Sequence, residues 1–196
     1  MQESALALLA RAGICLNDGL NSRRLTLMDE TQQYRFIFVK PADVPVYVEH
    51  GIADCGIVGR DVLLESEADL LLPLDLQISR CRIVVAAPDP QATTNVQGMI
   101  RVATKYAQIA RAHFGARGIP VEIIQLSGSV ELAPALGLAD MIVDLVETGV
   151  TLKENGLTVV EEIAESTGRL VVNRASYQLK SDEVGRLVKA LEDRIA

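Results

Sequence analysis

The sequence predicts an α/β protein of two lobes, with largely parallel sheets covered on both faces by helices. Three observations carry that prediction. The period of apolar residues alternates between helical and strand-like along all 196 residues. A polar segment rich in turn formers, PDPQATTNVQG at 88–98, interrupts the rhythm near the middle. The tetrad Gly51-Ile52-Ala53-Asp54 before CGIV returns as Gly137-Leu138-Ala139-Asp140 before MIVD. Each glycine is placed to end a helix and each aspartate to open a strand. One such unit on either side of the polar segment suggests two similar lobes; chance recurrence is the plain alternative.

Each element follows from its own pattern. Residues 2–12 (QESALALLARA) read as an amphipathic helix stopped by Gly13. Residues 25–28 and 34–39 are strand-like and joined by the polar DETQQ, which suggests a hairpin. A short helix over 41–50 leads to Gly51, followed by a strand at 55–58, a helix at 61–66 and a strand at 82–87. Beyond the polar segment come a strand at 100–103, a helix at 105–116, a strand at 121–126, a helix at 130–138 and a strand at 141–146. A short helix at 152–155, strands near 158–162 and 169–173, and a last helix from Asp182 complete the chain.

Composition narrows the function. Hydrophobic residues at 49% and charged residues at 23% belong to an ordinary globular protein, not to a disordered or fibrous one. Lys+Arg 19 against Asp+Glu 26, a net charge of −7, argues against a protein that coats nucleic acid. Local phosphate binding stays open, because helix N-termini and a few placed cations achieve it whatever the global sign. Cys15, Cys55 and Cys81 are widely spaced with no Cys-x-x-Cys pair, which fits a reducing compartment. No apolar run approaches the ~18–20 residues of a membrane span. Glu3 before and Arg11 after the first apolar stretch reverse the charge order of an export signal. A cytoplasmic protein without a membrane or nucleic-acid partner is expected.

The most informative stretch is MIVDLVETGVTL, residues 141–152. An apolar strand delivers Asp144 and Glu147 towards its carboxyl end, where open parallel sheets bind ligands. The loop Thr148-Gly149-Val150-Thr151 offers successive backbone N–H groups and two hydroxyls to a phosphate. Gly149 lets the backbone close on the anion. Carboxylates beside the loop suit ribose hydroxyls or a Mg2+ ion carried with the ligand. A sugar phosphate satisfies both halves. An ordinary strand-ending turn with Thr151 as a cap is the bland equivalent. Just upstream, Ser127-Gly128-Ser129-Val130-Glu131 joins a strand to a second helix start. Glu131 falls in that first turn, where capping is its alternative role.

Glu131, Gly137, Asp140, Asp144, Thr148-Gly149 and Thr151-Leu152 stand at the spacing of the signature of ATP phosphoribosyltransferases, and the chain resembles that family over nearly its whole length. Ser22-Arg23-Arg24-Leu25, Asp43-Val44-Pro45, Tyr47-Val48-Glu49 and Gly56-Ile57-Val58-Gly59 before Asp61-Val62-Leu63 carry the resemblance in the first half. Arg101-Val102-Ala103-Thr104-Lys105-Tyr106 and Val172-Asn173-Arg174-Ala175-Ser176 carry it in the second.

The resemblance implies two α/β lobes like those of a type II periplasmic binding protein. The first lobe would comprise residues 1–87 plus 168–196, and the second 88–167 with the sugar-phosphate loop. It implies a glycosyltransferase that joins N1 of the ATP adenine to C1 of phosphoribosyl pyrophosphate, releasing pyrophosphate with Mg2+ present. That is the first step of histidine biosynthesis. Because the chain ends soon after Ala175-Ser176, it resembles the short form. Short forms imply a homodimer within a hetero-oligomer, alongside a separate regulatory subunit similar to histidyl-tRNA synthetase.

The resemblance also implies residue roles. Thr148, Gly149, Val150 and Thr151 would cradle the 5′-phosphate, with Asp144, Glu147 and Glu131 towards ribose hydroxyls or the metal-bound face. Arg23 matches the basic residue near the departing pyrophosphate, where a cation stabilises developing negative charge. Lys105 and Tyr106 would contact phosphates or base, with a salt bridge and a packed ring as their bland equivalents. Asp43 and Tyr47 are placed on the adenine side, while His50 and His113 lack metal or triad spacing and are read as incidental.

The chain departs from the family in three places. Family members carry a strand and a Lys-Gly-Arg turn ahead of the first helix, and here Met1-Gln2 leads straight into it. Loss of such a strand would expose sheet edges and remove two basic contacts. Val150 stands where Asn is common, and Val46 where Thr is frequent. Two other classes compete with the enzyme: a two-lobed module that closes on a small anion, and an inactive structural subunit. The Asp-x-x-Glu-Thr-Gly-x-Thr loop favours the enzyme over a simple anion binder.

Overall fold

A computed structural model describes residues 1–16, 25–88 and 99–195. The chain folds into two compact units, Met1–Ser79 with Thr167–Ala196, and Arg80–Ser166. The elements in order are α1 (Gln2–Arg11), β1 (Thr26–Met28), β2 (Arg35–Ile37), a 3-10 turn (Pro41–Asp43), α2 (Val44–Glu49), β3 (Cys55–Gly59), α3 (Arg60–Ser66) and β4 (Leu71–Asp75). The second unit contributes β5 (Cys81–Ala87), β6 (Ile100–Thr104), α4 (Ala107–Gly115), β7 (Val121–Gln125), α5 (Leu132–Ala135), β8 (Met141–Val146), α6 (Val150–Glu154) and β9 (Thr158–Ser166). The first unit is completed by β10 (Gly168–Val172), α7 (Arg174–Leu179) and α8 (Ser181–Glu192).

In the first unit the sheet order is β3-β10-β4, and both pairings are antiparallel. Strand β10 is central and buried on both faces. Leu170 and Val172 pack with Leu8 and Leu9 of α1 and Val184, Leu187 and Leu191 of α8. Val171, on the opposite face, packs with Val48 of α2 and with Val58 and Leu70. That alternation is the period-two signature of a strand between two helical layers. The expected hairpin forms, with Thr26 opposite Ile37 and Met28 opposite Arg35. Its turn is organised by the buried Asp29, which accepts hydrogen bonds from Tyr34 N–H (2.7 Å), Thr31 N–H (3.1 Å) and the Thr31 hydroxyl. Burial alone would raise the Asp29 carboxyl, but these donors hold it below its ordinary value.

The second unit is a five-stranded sheet ordered β7-β6-β8-β5-β9. Only β6 with β7 and β6 with β8 are parallel among the described pairings; β5 runs antiparallel to both β8 and β9. One face (Ile83, Val85, Val102, Met141, Val143) packs on Ile109, Ala110 and Phe114 of α4. The other (Val84, Ala86, Ala103, Ile142, Val146) packs on Val130, Ala133 and Leu152 around α5 and α6.

Three expectations are corrected. The sheets are not largely parallel, because β10 and β5 run against their neighbours, and hydrophobic period reports burial but not direction. The crossing expected near residue 88 lies between Ser79 and Arg80, because β5 is hydrogen-bonded on both sides within the second sheet. The helix expected over 130–138 shrinks to the four residues of α5, which include Pro134. The sequence reading also missed two elements. Strand β4 contains Pro73, whose missing N–H is tolerated because β4 is an edge strand. Helix α7 is capped by Asn173, whose side chain accepts the Ser176 N–H at 3.0 Å.

The Gly-x-Ala-Asp repeat proves to be one structural device used twice. Gly51 and Gly137 both adopt left-handed backbone, with φ of 68° and 72°. Asp54 accepts from Ser176 Oγ (2.7 Å) and Lys180 Nζ (2.8 Å), fastening α7 and the start of α8 to the mouth of β3. Asp140 accepts from Arg101 N–H (2.9 Å) and pairs with the Arg101 guanidinium (2.7 Å), fastening β8 to β6. Both aspartates are therefore held by neighbouring secondary structure.

Candidate active site

Strands β6, β7 and β8 are mutually parallel, so their carboxyl ends share one edge of the second unit's sheet. Ligands of α/β sheets bind outside that edge. Three loops leave it: the turn at Lys105 after β6, residues 126–131 after β7, and residues 147–149 after β8. The fold thereby brings Lys105, Glu131, Asp144, Glu147 and the run from Thr148 to Thr151 to one edge, all of them residues that the sequence singles out.

Asp144 is the electrostatic centre of the group. It lies opposite Val84 of β5 and on the sheet face whose other β8 residues, Ile142 and Val146, are buried. Only half-buried itself, it is a carboxylate on an otherwise apolar stripe. Burial raises its carboxyl above the ordinary value, and the charge of Glu131 pushes the same way. A hydrogen bond from Leu145 N–H and the charge of Lys105 oppose that rise. Lys105 and Glu131 thus act on the same carboxylate from the two neighbouring loops. Glu131 does not cap α5: it occupies the N-cap position, yet no side-chain hydrogen bond closes the cap.

The loop after β8 turns at Gly149, which has φ 81° and ψ 2°. A Cβ there would meet only Val146 Cγ1, at 3.7 Å, so the left-handed backbone, and not crowding, is what calls for glycine. Helix α6 follows directly, and the N–H groups of Val150, Thr151 and Leu152 open it without carbonyl partners one turn back. Glu147, Thr148, Val150 and Thr151 are exposed or half-exposed around this turn. The N-cap of α6 is Gly149 itself, so no side chain caps this helix.

Lys105 is exposed, with Nζ 4.8 Å from the centroid of the Tyr106 ring. Tyr106 is buried, packed with Ile109, Ala110 and Phe114, so its ring contributes chiefly to the core. The turn that carries Lys105 is held by Thr104, which the sequence names only within the segment 101–106 and without a role of its own. Its only local signal is a threonine at a strand end, where hydroxyls bond nearby backbone. Asp43 and Tyr47 belong to the first unit, at the end of the 3-10 turn and on α2, and both are exposed. Arg23 lies outside the described residues. His113 is buried against Glu161 (3.0 Å), which also pairs with Arg117, an arrangement that staples α4 to β9. Burial pushes the Cys55 thiol up to about 11, with the charge of Asp54 adding to it, so that thiol stays protonated near neutral pH.

Among the described residues, no group of three or more His, Cys, Asp or Glu could hold a metal ion by itself. The donor set at the sheet edge consists of carboxylates beside an amide-rich loop. It fits a cation that arrives already bound to phosphate oxygens. None of the described helices is long and apolar enough to cross a membrane.

Comparison with known proteins gives this arrangement its context. The HisG family model, ATP phosphoribosyltransferase, matches residues 40–193. The chain is 50% identical over 197 residues to the ATP phosphoribosyltransferase of Caldanaerobacter subterraneus subsp. tengcongensis, covering 100% of this chain and 93% of that relative. It is 52% identical over 190 residues to the enzyme of the same name from Geobacillus kaustophilus, covering 96% and 91%. Among solved structures, a chain of the ATP phosphoribosyl transferase (HisG:HisZ) complex from Thermotoga maritima superposes with a TM-score of 0.84 at 35% identity, covering 98% of this chain and 92% of that one. Tv2483 bound to L-arginine, 18% identical with a TM-score of 0.53, shares the fold over 81% of this chain and 68% of its own. The two-lobed α/β architecture is thus found beyond close relatives, but the chain itself belongs to the ATP phosphoribosyltransferase family.

Proposed function

We infer that this chain is a glycosyltransferase that joins N1 of the ATP adenine to C1 of phosphoribosyl pyrophosphate, the first step of histidine biosynthesis. The N1 lone pair forms the new bond while the bond from C1 to the pyrophosphate oxygen breaks, and pyrophosphate leaves with that electron pair. Family membership supports the reaction. The observation that carries the site assignment is the convergence of Lys105, Glu131, Asp144 and the 148–151 turn on one sheet edge.

In this reading the N–H groups opening α6, with the hydroxyls of Thr148 and Thr151, hold the 5′-phosphate. Val150 contributes its amide, so the absence of Asn at that position costs no contact. Asp144 and Glu147 accept from the ribose hydroxyls, and Glu131 flanks them. Mg2+ enters with the pyrophosphate and ribose oxygens as part of the substrate, a hard cation suited to these carboxylates. Lys105 offers positive charge to phosphate, Arg23 supplies the cation near the departing pyrophosphate, and Asp43 and Tyr47 serve the adenine side. The Thermotoga maritima relative is part of a HisG:HisZ complex, and the likeness to it supports a separate regulatory subunit for this chain; a homodimer inside that assembly completes the reading. The reaction is assigned to the cytoplasm, where ATP is available.

Thermal unfolding with Mg2+ and phosphoribosyl pyrophosphate tests the site. A ligand at ~100 times its dissociation constant adds about 2.7 kcal/mol. For a chain of this size that is a shift of roughly 5–10 °C. A cooperative transition that does not move with saturating phosphoribosyl pyrophosphate, with or without ATP, would overturn the assignment.

A further inference from the structure

We propose that Thr104 is a positioning residue for this site, its buried hydroxyl fixing the relative placement of the loops after β6, β7 and β8. The proposal rests on the functional reading of the same site. Thr104 has no exposed surface, so it touches no substrate. It is nevertheless the last residue of β6, tied both to the end of β7 and to Val143 within β8. Its carbonyl accepts the Leu126 N–H at 3.0 Å, at the start of the segment leading to Glu131. Its hydroxyl donates to the Val143 carbonyl at 2.7 Å, in the peptide that leads into Asp144. The same hydroxyl accepts the Tyr106 N–H at 2.8 Å, closing the turn whose middle residue is Lys105.

The ladder shows why a side chain is needed here. Thr104 opposite Gln125 is the last β6–β7 pair, and Thr104 opposite Val143 is the last β6–β8 pair. Beyond this residue β6 no longer pairs with β7 or β8, so β8 is held from there to Val146 by β5 alone. A hydroxyl has one donor and two acceptor lone pairs, so it can tie two backbone groups at once. With the Tyr106 N–H pointing at the oxygen, the hydroxyl proton is left for Val143. Valine has the same shape but would strip a partner from a buried carbonyl and from an N–H together. Of the charges that act on Asp144 across this edge, Lys105 is the residue next to Thr104, and Glu131 ends the segment that starts at the tied Leu126; Asp144 itself follows the tied Val143. Loosening the tie lets them drift independently, and displacements on the order of 1 Å cost catalysis about a hundredfold.

The experiment is steady-state kinetics of the full assembly, chain plus regulatory subunit, for wild type, Thr104→Val, Thr104→Ser and the buried apolar control Val102→Ala. Thr104→Val is expected to lower kcat by at least about tenfold, while Thr104→Ser, which keeps the hydroxyl, stays within about threefold of wild type. Val102→Ala lowers the unfolding temperature but leaves kcat within about twofold, because it removes packing without touching the ties. Should Thr104→Val not fold, Thr104→Ala replaces it in the comparison with Thr104→Ser. Equal losses in the hydroxyl-bearing and hydroxyl-free variants, or full turnover by Thr104→Val, overturn the proposal while wild-type turnover leaves the functional reading intact. A wild-type assembly that neither turns over nor binds phosphoribosyl pyrophosphate overturns both.

Discussion

At the residue scale, three aspartates of the same chemistry are put to different uses by their surroundings. Asp54 and Asp140 have dedicated cationic partners, Lys180 and Arg101. Burial alone would raise Asp54, but Lys180 and Ser176 hold its carboxyl below the ordinary value; Arg101 does the same for Asp140. Asp144 is raised, chiefly by burial, because Lys105 only partly offsets it. A raised carboxyl binds its proton more tightly when folded, so its ionised form costs stability at neutral pH, and that cost disappears as pH falls through its folded value. Asp144→Asn is therefore expected to raise the unfolding temperature of the ligand-free chain, by the equivalent of about 0.5–2 kcal/mol. The same variant should lose the shift produced by phosphoribosyl pyrophosphate, and calorimetry with and without ligand checks both halves. Asp140→Asn should do the reverse, lowering the unfolding temperature while leaving the ligand shift in place.

At the scale of elements, the two turns that matter make opposite demands. Gly149 sits in left-handed backbone with room for a methyl group, so Gly149→Ala meets only the conformational cost, about 1–2 kcal/mol. That cost is large enough to move the loop, and a weaker response to phosphoribosyl pyrophosphate in a titration is expected alongside a small loss of stability. Asn173 carries three bonds at once: it caps α7, and its Nδ2 donates to the carbonyls of Val48 (2.9 Å) and Glu49 (3.1 Å) at the end of α2. Asn173→Ala should cost at least the ~1 kcal/mol of a typical N-cap, since two carbonyls lose a donor as well. Denaturant titration reads that loss, and the ligand shift should survive it because Asn173 belongs to the first unit. Elements are the scale at which the sequence is most legible. The hairpin, the strand MIVDLV and the turn at Gly149 all rest on local chemistry that a window of residues contains. Strand β4 escapes such a window because Pro73 looks like a breaker until the strand is known to lie at an edge.

At the scale of the whole molecule, acid stability follows from the lowered group of carboxyls. Asp29, Asp54 and Asp140 all lie below their ordinary value of 3.8. Their contribution is complete above that value and is lost as pH falls through the lower, folded values. Asp144 changes in the opposite direction, gaining stability on protonation, so the wild-type acid limb is the difference of the two. Asp144→Asn should steepen the loss of unfolding temperature on acidification, which a pH series of thermal melts would show; an unchanged limb would mean that Asp144 is not raised. Local pattern was enough to locate most helices and strands, to pick out the loop that resembles a phosphate cradle and to find the family resemblance, because periodicity, caps and motif spacing are properties of neighbouring residues. Folding in three dimensions settled the rest: that β5 and β10 run against their neighbours, that the division falls before β5, and that Asp54 and Asp140 anchor structure while Asp144 feels Lys105 and Glu131. Those outcomes depend on pairings between residues far apart in the chain, and on the burial that such pairing creates.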